Sequence, residues 1–214
     1  MIDELMKNST DEQIIKFMQT YPINSQDNST GYTPLMHAVA NNRINIVKWL
    51  LEHDANPNVI NSWENDGDTA LQIATGKSVK MVKLLLKHGA KINLITPCNT
   101  VLTCAAWDGN EEIVKFLLMN GANEFDVPPG PKMINSYNGL NIRQFMINNR
   151  EDIRSKCINK SIKEIYDLFA NNSSYGTPLY YAHVRGHKNI EDLILASMYL
   201  HLHGCPLDRA CPLD

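Results

Sequence analysis

Seven histidines and five cysteines are the side chains of this 214-residue chain best suited to nucleophilic or metal chemistry. Their densest gathering is His201, His203 and Cys205, with Cys211 further on. Nitrogen and sulfur donors at that density could hold zinc. Against this, a His-x-His pair on a helix points its rings to different sides, and Cys211 lies in an irregular tail, so a plain surface tail is the expectation. The string "CPLD" stands at Cys205 and again at Cys211, four residues from the end. A lipid-bearing cysteine would sit there, but the following proline and the terminal aspartate do not suit a prenylation box. Elsewhere the histidines are isolated. His37 falls within a short helical pattern and reads as a packed, hydrogen-bonded residue, while His88 precedes a glycine helix stop, where a cation suits the helix end. There is no HExxH, no GxSxG and no phosphate-cradling glycine loop. Glu111 with Glu112, and Asp66 with Asp68, are carboxylate neighbours in turns, and nothing around them suggests the pocket that acid–base catalysis would need. No cofactor and no metal is expected.

Charge and composition narrow the class further. The formal net charge is −3, with 43% hydrophobic and 20% charged residues. Such a balance offers no electrostatic footprint for nucleic acid or an anionic membrane. The row Lys77, Lys80, Lys83 and Lys87 occupies one helical face and reads as a solvated exterior. The opening "MIDELMKNSTDEQ" is acidic and has no apolar centre, unlike a secretory signal, and the longest mostly apolar run, Leu193 to Leu202, is too short to span a bilayer. An odd number of unevenly spaced cysteines does not suggest a disulfide framework. The expectation is a monomeric, reduced, cytoplasmic protein. An abundance of Asn, Ile and Lys with little Arg or Ala hints at an AT-rich genome.

What must position any functional side chain is a unit stated several times over. "TPLMHAVANNRINIVKWLLEHDANPN" begins at Thr33, "TALQIATGKSVKMVKLLLKHGAKIN" at Thr69, "TVLTCAAWDGNEEIVKFLLMNGAN" at Thr100 and "TPLYYAHVRGHKNIEDLI" at Thr177. Self-similarity of this kind outranks single-residue clues. In each unit Thr can cap a first helix, Pro34 and Pro178 sit where a helix start tolerates proline, and small residues such as Ala38, Ala74 and Ala105 allow close approach. After a turn, a second helix carries Ile46, Val47, Leu50 and Leu51, or their counterparts Met81, Val82, Leu85 and Leu86, and Ile113, Val114, Leu117 and Leu118. Gly89 and Gly121 stop those helices, with Asp54 at the same point of the first unit.

Helix, turn, helix and an extended return in about 33 residues resemble the ankyrin repeat. The resemblance rests on "GYTPLMHA", "GDTALQIA", "NIVKWLLEHDANPN", "MVKLLLKHGAKIN" and "EIVKFLLMNGAN". It implies an all-α solenoid of stacked helical pairs joined by short hairpin-like loops, with a structural histidine at His187. The expected organisation is a polar capping unit at 1–30, repeats at 31–66, 67–98 and 99–125, a diverged repeat or insertion at 126–175, a further repeat at 176–203 and a tail at 204–214. Stacking is what buries Leu51, Leu85 and Leu117, since each unit alone is half-cored.

The resemblance further implies binding of a protein partner on a concave surface made of hairpin tips and first helices. Mapped onto this chain, those positions include Tyr32, Asn41, Trp63, Asp66, Asp68, Trp107, Asp108 and Arg185. Tyr, Trp and Arg dominate interface energies, so Tyr32, Trp107, Arg185 and Trp63 stand out. Trp49 lies inside a core-forming helix and reads as structural. A non-catalytic binding module is therefore the expected function, in the manner of a host-directed effector or viral adaptor. The alternative is an enzymatic or metal-binding addition in residues 126–176 or the His/Cys tail, and a third possibility is a spacer of a larger assembly.

Overall fold

The computed structural model describes residues 2–61, 67–97, 99–124, 163 and 177–202. Their helices are α1 (Ile2–Asn8), α2 (Asp11–Met18), α3 (Pro34–Ala40), α4 (Ile44–Glu52) and α5 (Ala70–Ala74). They continue with α6 (Val79–Lys87), α7 (Val101–Asp108), α8 (Glu111–Met119), α9 (Pro178–Val184) and α10 (Lys188–Leu202). Among the described residues there is no strand. The expected diverged unit at 126–175 and the tail lie outside them, Lys163 apart.

Local chemistry fixes each pair of helices. The hydroxyls of Thr33, Thr69, Thr100 and Thr177 accept from the backbone N–H three residues on, at 3.1–3.3 Å, which satisfies a donor the helix start leaves open. Gln72 and Thr103 return the favour to the backbone N–H of Thr69 and Thr100 at 2.7 and 2.8 Å. Second helices end as expected: Asp54, Gly89 and Gly121 have φ of 66°, 86° and 83°. The next residue's N–H then reaches back to Leu50, Leu85 or Leu117, a Schellman closure that also buries Ala55, Ala90 and Ala122.

The units stack in two layers. First helices α1, α3, α5, α7 and α9 pack in that order, and second helices α2, α4, α6, α8 and α10 pack behind them. The core is the seam between the layers, where Ile46, Leu50, Met81, Leu85, Ile113 and Leu117 are fully buried. The N-terminal pair, α1 and α2, is tied to the next unit by Arg43, which donates to Ser9 O at 2.6 Å and Asp11 Oδ1 at 2.9 Å. At the other end α9 lies directly on α7 and α10 on α8, so residues 177–202 stack on residues 100–124 although 125–176 separate them in the chain.

Between units the loops pair as narrow hairpins, with Asp27 N–H bonded to Tyr32 O, Asn61 N–H to Asp68 O and Thr96 N–H to Asn99 O at 2.9–3.1 Å. An asparagine ladder joins their far ends. Asn58 donates to Gly89 O at 2.9 Å and accepts from Lys91 N–H at 2.8 Å. Asn24 does the same to Asp54 O and Asn56 N–H, and Asn93 to Gly121 O and Asn123 N–H. Gln26 and Gln72 add staples, the latter from Nε2 to Thr96 Oγ1 and Asn99 O. The turn at Gly76, one residue short in the sequence, is completed from the next unit: Thr75 Oγ1 donates to Asp108 Oδ2 at 2.8 Å.

Candidate protein-binding face

Stacking turns positions spaced along the chain into a continuous face on the first-helix layer. Tyr32 opens it at a hairpin tip, half-buried, with its ring edge-on to His37 at 5.4 Å. Burial, with the charge of Asp68 added, pushes its phenol above the ordinary range. His37 is buried as expected, its Nε2 2.5 Å from Asp27 Oδ2 and its Nδ1 3.8 Å from Asp3 Oδ1. Asp27 organises this loop. Burial opposes its charge, but Thr30, Ser29 and His37 donate to it and hold its carboxyl well below the usual range.

Asn41 ties the row to the N-terminal helix. Its amide donates to Asp3 Oδ1 at 3.1 Å and to His37 O at 2.9 Å, linking α1 to α3. Asp68 and Asp108, from successive units, both act on Cys104. Burial first, then these two carboxylates, pushes the Cys104 thiol far above its ordinary range, which leaves it a poor nucleophile.

Trp107 is 44% exposed on α7. Its ring meets Tyr181 of α9 edge to face at 5.6 Å, and the Arg185 guanidinium carbon sits over it at 4.6 Å from the centroid. Two residues singled out separately in the sequence thus form one platform. Tyr181 completes it, and both it and Cys104 were missed. Each stands four residues after its Thr marker, the place of His37 and Ile73, so counting from the threonines would have found them. His187 holds the neighbouring turn, with Nε2 3.3 Å from Trp107 O. Trp63 and Asp66 lie outside the described residues.

On the second-helix layer, Lys77, Lys80, Lys83 and Lys87 are exposed, and the Lys83 ammonium lies 5.1 Å from the centre of the Phe116 ring. Trp49 is half-buried and stacks on His53 at 3.9 Å. His88 Nδ1 lies 2.9 Å from Leu84 O, which seals the end of α6. His201, a member of the candidate zinc cluster, has its Nδ1 3.2 Å from Glu124 Oε1, and Ser197 Oγ donates to the same oxygen at 3.3 Å. Glu124 is 3% exposed, and burial pushes its carboxyl up. Nothing in the sequence signalled that arrangement. His203, Cys205 and Cys211 lie outside the described residues. Among the described residues no three His, Cys, Asp or Glu side chains gather as metal ligands, and no helix is long and apolar enough to cross a membrane.

The family model for ankyrin repeats (three copies) matches residues 5–96 and 58–127. The chain belongs to the ankyrin-repeat family. It is 31% identical over 168 residues to a putative ankyrin repeat protein of Acanthamoeba polyphaga mimivirus, covering 70% of this chain and 21% of that protein. Over 180 residues it is 26% identical to a putative ankyrin repeat protein of Fowlpox virus (strain NVSL), covering 82% of this chain and 25% of that one. It is also 38% identical over 73 residues to the B-cell lymphoma 3 protein homolog of Mus musculus, covering 34% and 16% respectively. The chain spans about a quarter or less of the length of these curated relatives. Ankyrin repeats are in general protein–protein interaction modules, and proteins built from them are typically non-enzymatic scaffolds.

Proposed function

We propose that the first-helix layer and the hairpin tips form a concave docking face for a partner protein, with Trp107 at its centre. Tyr32, Asp68, Asp108 and Arg185 belong to it, and Trp63 and Asp66 are assigned to it from their positions in the sequence. Asn41 contributes from the capping end. The carrying observation is the exposed Trp107 ring, held between Tyr181 and Arg185 on a rigid stack of helices. A large aromatic fixed before binding loses little freedom when a partner covers it, which is why such residues dominate interface energies. The reading is of a monomeric, non-catalytic cytosolic module. Its composition, together with relatives in mimivirus and Fowlpox virus, supports a host-directed adaptor.

Affinity capture from host cytosol tests this with the wild type, the Trp107→Ala/Tyr32→Ala double variant and Met119→Ala. Met119 is 66% exposed on the second-helix layer and serves as the control. A partner held by wild type and Met119→Ala should be lost by the double variant, with affinity falling at least about ten-fold. A partner retained unchanged by the double variant overturns the docking face.

A further inference from the structure

We infer that Arg185, seated on Trp107, is a carboxylate receptor, and that the segment docking on the first-helix face carries an Asp or Glu at that point. This rests on the docking-face reading and adds the chemistry of the partner. The face of the guanidinium is spent on the indole, 4.6 Å above its centroid. Its N–H edges meet no acceptor among the described residues, nor does the Trp107 indole N–H. Among the described residues, the carboxylates of α7–α10 named here have other engagements. Asp108 accepts from Thr75 at 2.8 Å, Glu111 from Asn189 at 3.2 Å, Glu191 lies 3.6 Å from both His183 and Lys188, and Asp192 lies 2.9 Å from Lys188.

A guanidinium is weakly hydrated, always charged and presents a planar fork that fits the two oxygens of a carboxylate. Stacked on an aromatic ring it is fixed in place, so little side-chain freedom remains to be lost on binding. One guanidinium supplies a single positive charge, which one carboxylate neutralises. A phosphate site gathers further cations, and Lys188, the next one along, is already paired with Asp192. The face also has a polarity, with the charge of Asp68 felt at Tyr32 and Cys104 and the cation at the α9 end. An acidic residue is therefore accepted beside Arg185 and disfavoured over Cys104.

Selection of a displayed library of short random peptides tests the assignment on wild type, Arg185→Ala, Arg185→Lys and Trp107→Ala, with each variant's fold checked by circular dichroism. The wild-type pool should fix an Asp or Glu at one position, and the Arg185→Ala pool should lose that preference while still binding. The best acidic peptide, resynthesised, should weaken about ten-fold or more on Arg185→Ala and on its own Asp→Asn or Glu→Gln change, with Arg185→Lys in between. A wild-type pool without acid enrichment, or the same enrichment on Arg185→Ala, overturns the receptor role. If such a pool is still lost on Trp107→Ala, the docking face stands without this assignment. No pool at all, or one indifferent to Trp107→Ala, removes both.

Discussion

Replacing Asn58 by alanine removes both hydrogen bonds by which the first repeat's tail grips the turn at the end of α6: Nδ2–H to Gly89 O at 2.9 Å and Lys91 N–H to Oδ1 at 2.8 Å. An intramolecular hydrogen bond contributes about 0.5–1.5 kcal/mol net. The site is exposed, so water reaches the orphaned carbonyl and amide, which places the pair in the lower half of that range, about 1–2 kcal/mol together. In a chain of this length each kcal/mol lowers the melting temperature by about 2–4 °C. Asn58→Asp keeps the acceptor for Lys91 but sets a carboxylate oxygen against the Gly89 carbonyl, and should lose at least half as much. Asn120→Ala is the control. Its amide bonds Phe116 O at 2.7 Å inside its own repeat, and its loss should stay within about 0.5 kcal/mol. Urea unfolding followed by circular dichroism gives the free energies, and amide hydrogen exchange at Lys91 gives the local effect. If Asn58→Ala matches Asn120→Ala, or leaves Lys91 equally protected, the ladder does not couple neighbouring repeats and the reasoning fails.

Gly109→Ala places a side chain at φ +76°, worth about 1–2 kcal/mol, and sets its Cβ 2.6 Å from the His187 ring. Gly89→Ala meets the conformational cost alone, because nothing lies within 4 Å of its Cβ, so Gly109→Ala should be the more destabilising of the two in urea. The depressed carboxyl of Asp27 contributes stability that is present above the ordinary aspartate range and lost as pH falls through its lowered value. Asp27→Asn should cost about 1.5–3 kcal/mol near neutral pH and flatten the acid limb of the melting-temperature profile. Glu124 works in the opposite sense: its carboxyl is raised by burial, so its contribution is complete below the ordinary glutamate range and is lost as pH rises through the raised value. Glu124→Gln keeps an acceptor for Ser197 and should remove that loss, leaving the variant at least as stable as wild type at neutral pH. A melting profile for Glu124→Gln parallel to wild type between mildly acidic and neutral pH would show that the buried carboxyl does not titrate there.

The sequence by itself determined the repeating unit. Thr caps, the positive-φ stops at Asp54, Gly89 and Gly121, and the paired apolar positions of the second helices all act within one or two turns of the chain. Local hydrogen bonding and helical periodicity suffice to express them. They also carried the family resemblance and placed Tyr32, Trp107 and Arg185 at exposed or half-exposed sites. Tertiary structure decided which of those sites meet. Residues 177–202 dock on 100–124 across the intervening chain, and this brings Arg185 and Tyr181 to Trp107 and buries Glu124 beside Ser197. It also turned Asn41 and Asp108 into ties between units, and tail asparagines into a ladder. Such pairings depend on which unit lies against which, a choice made by the area two complete helical pairs can bury together and recorded in no short stretch of sequence.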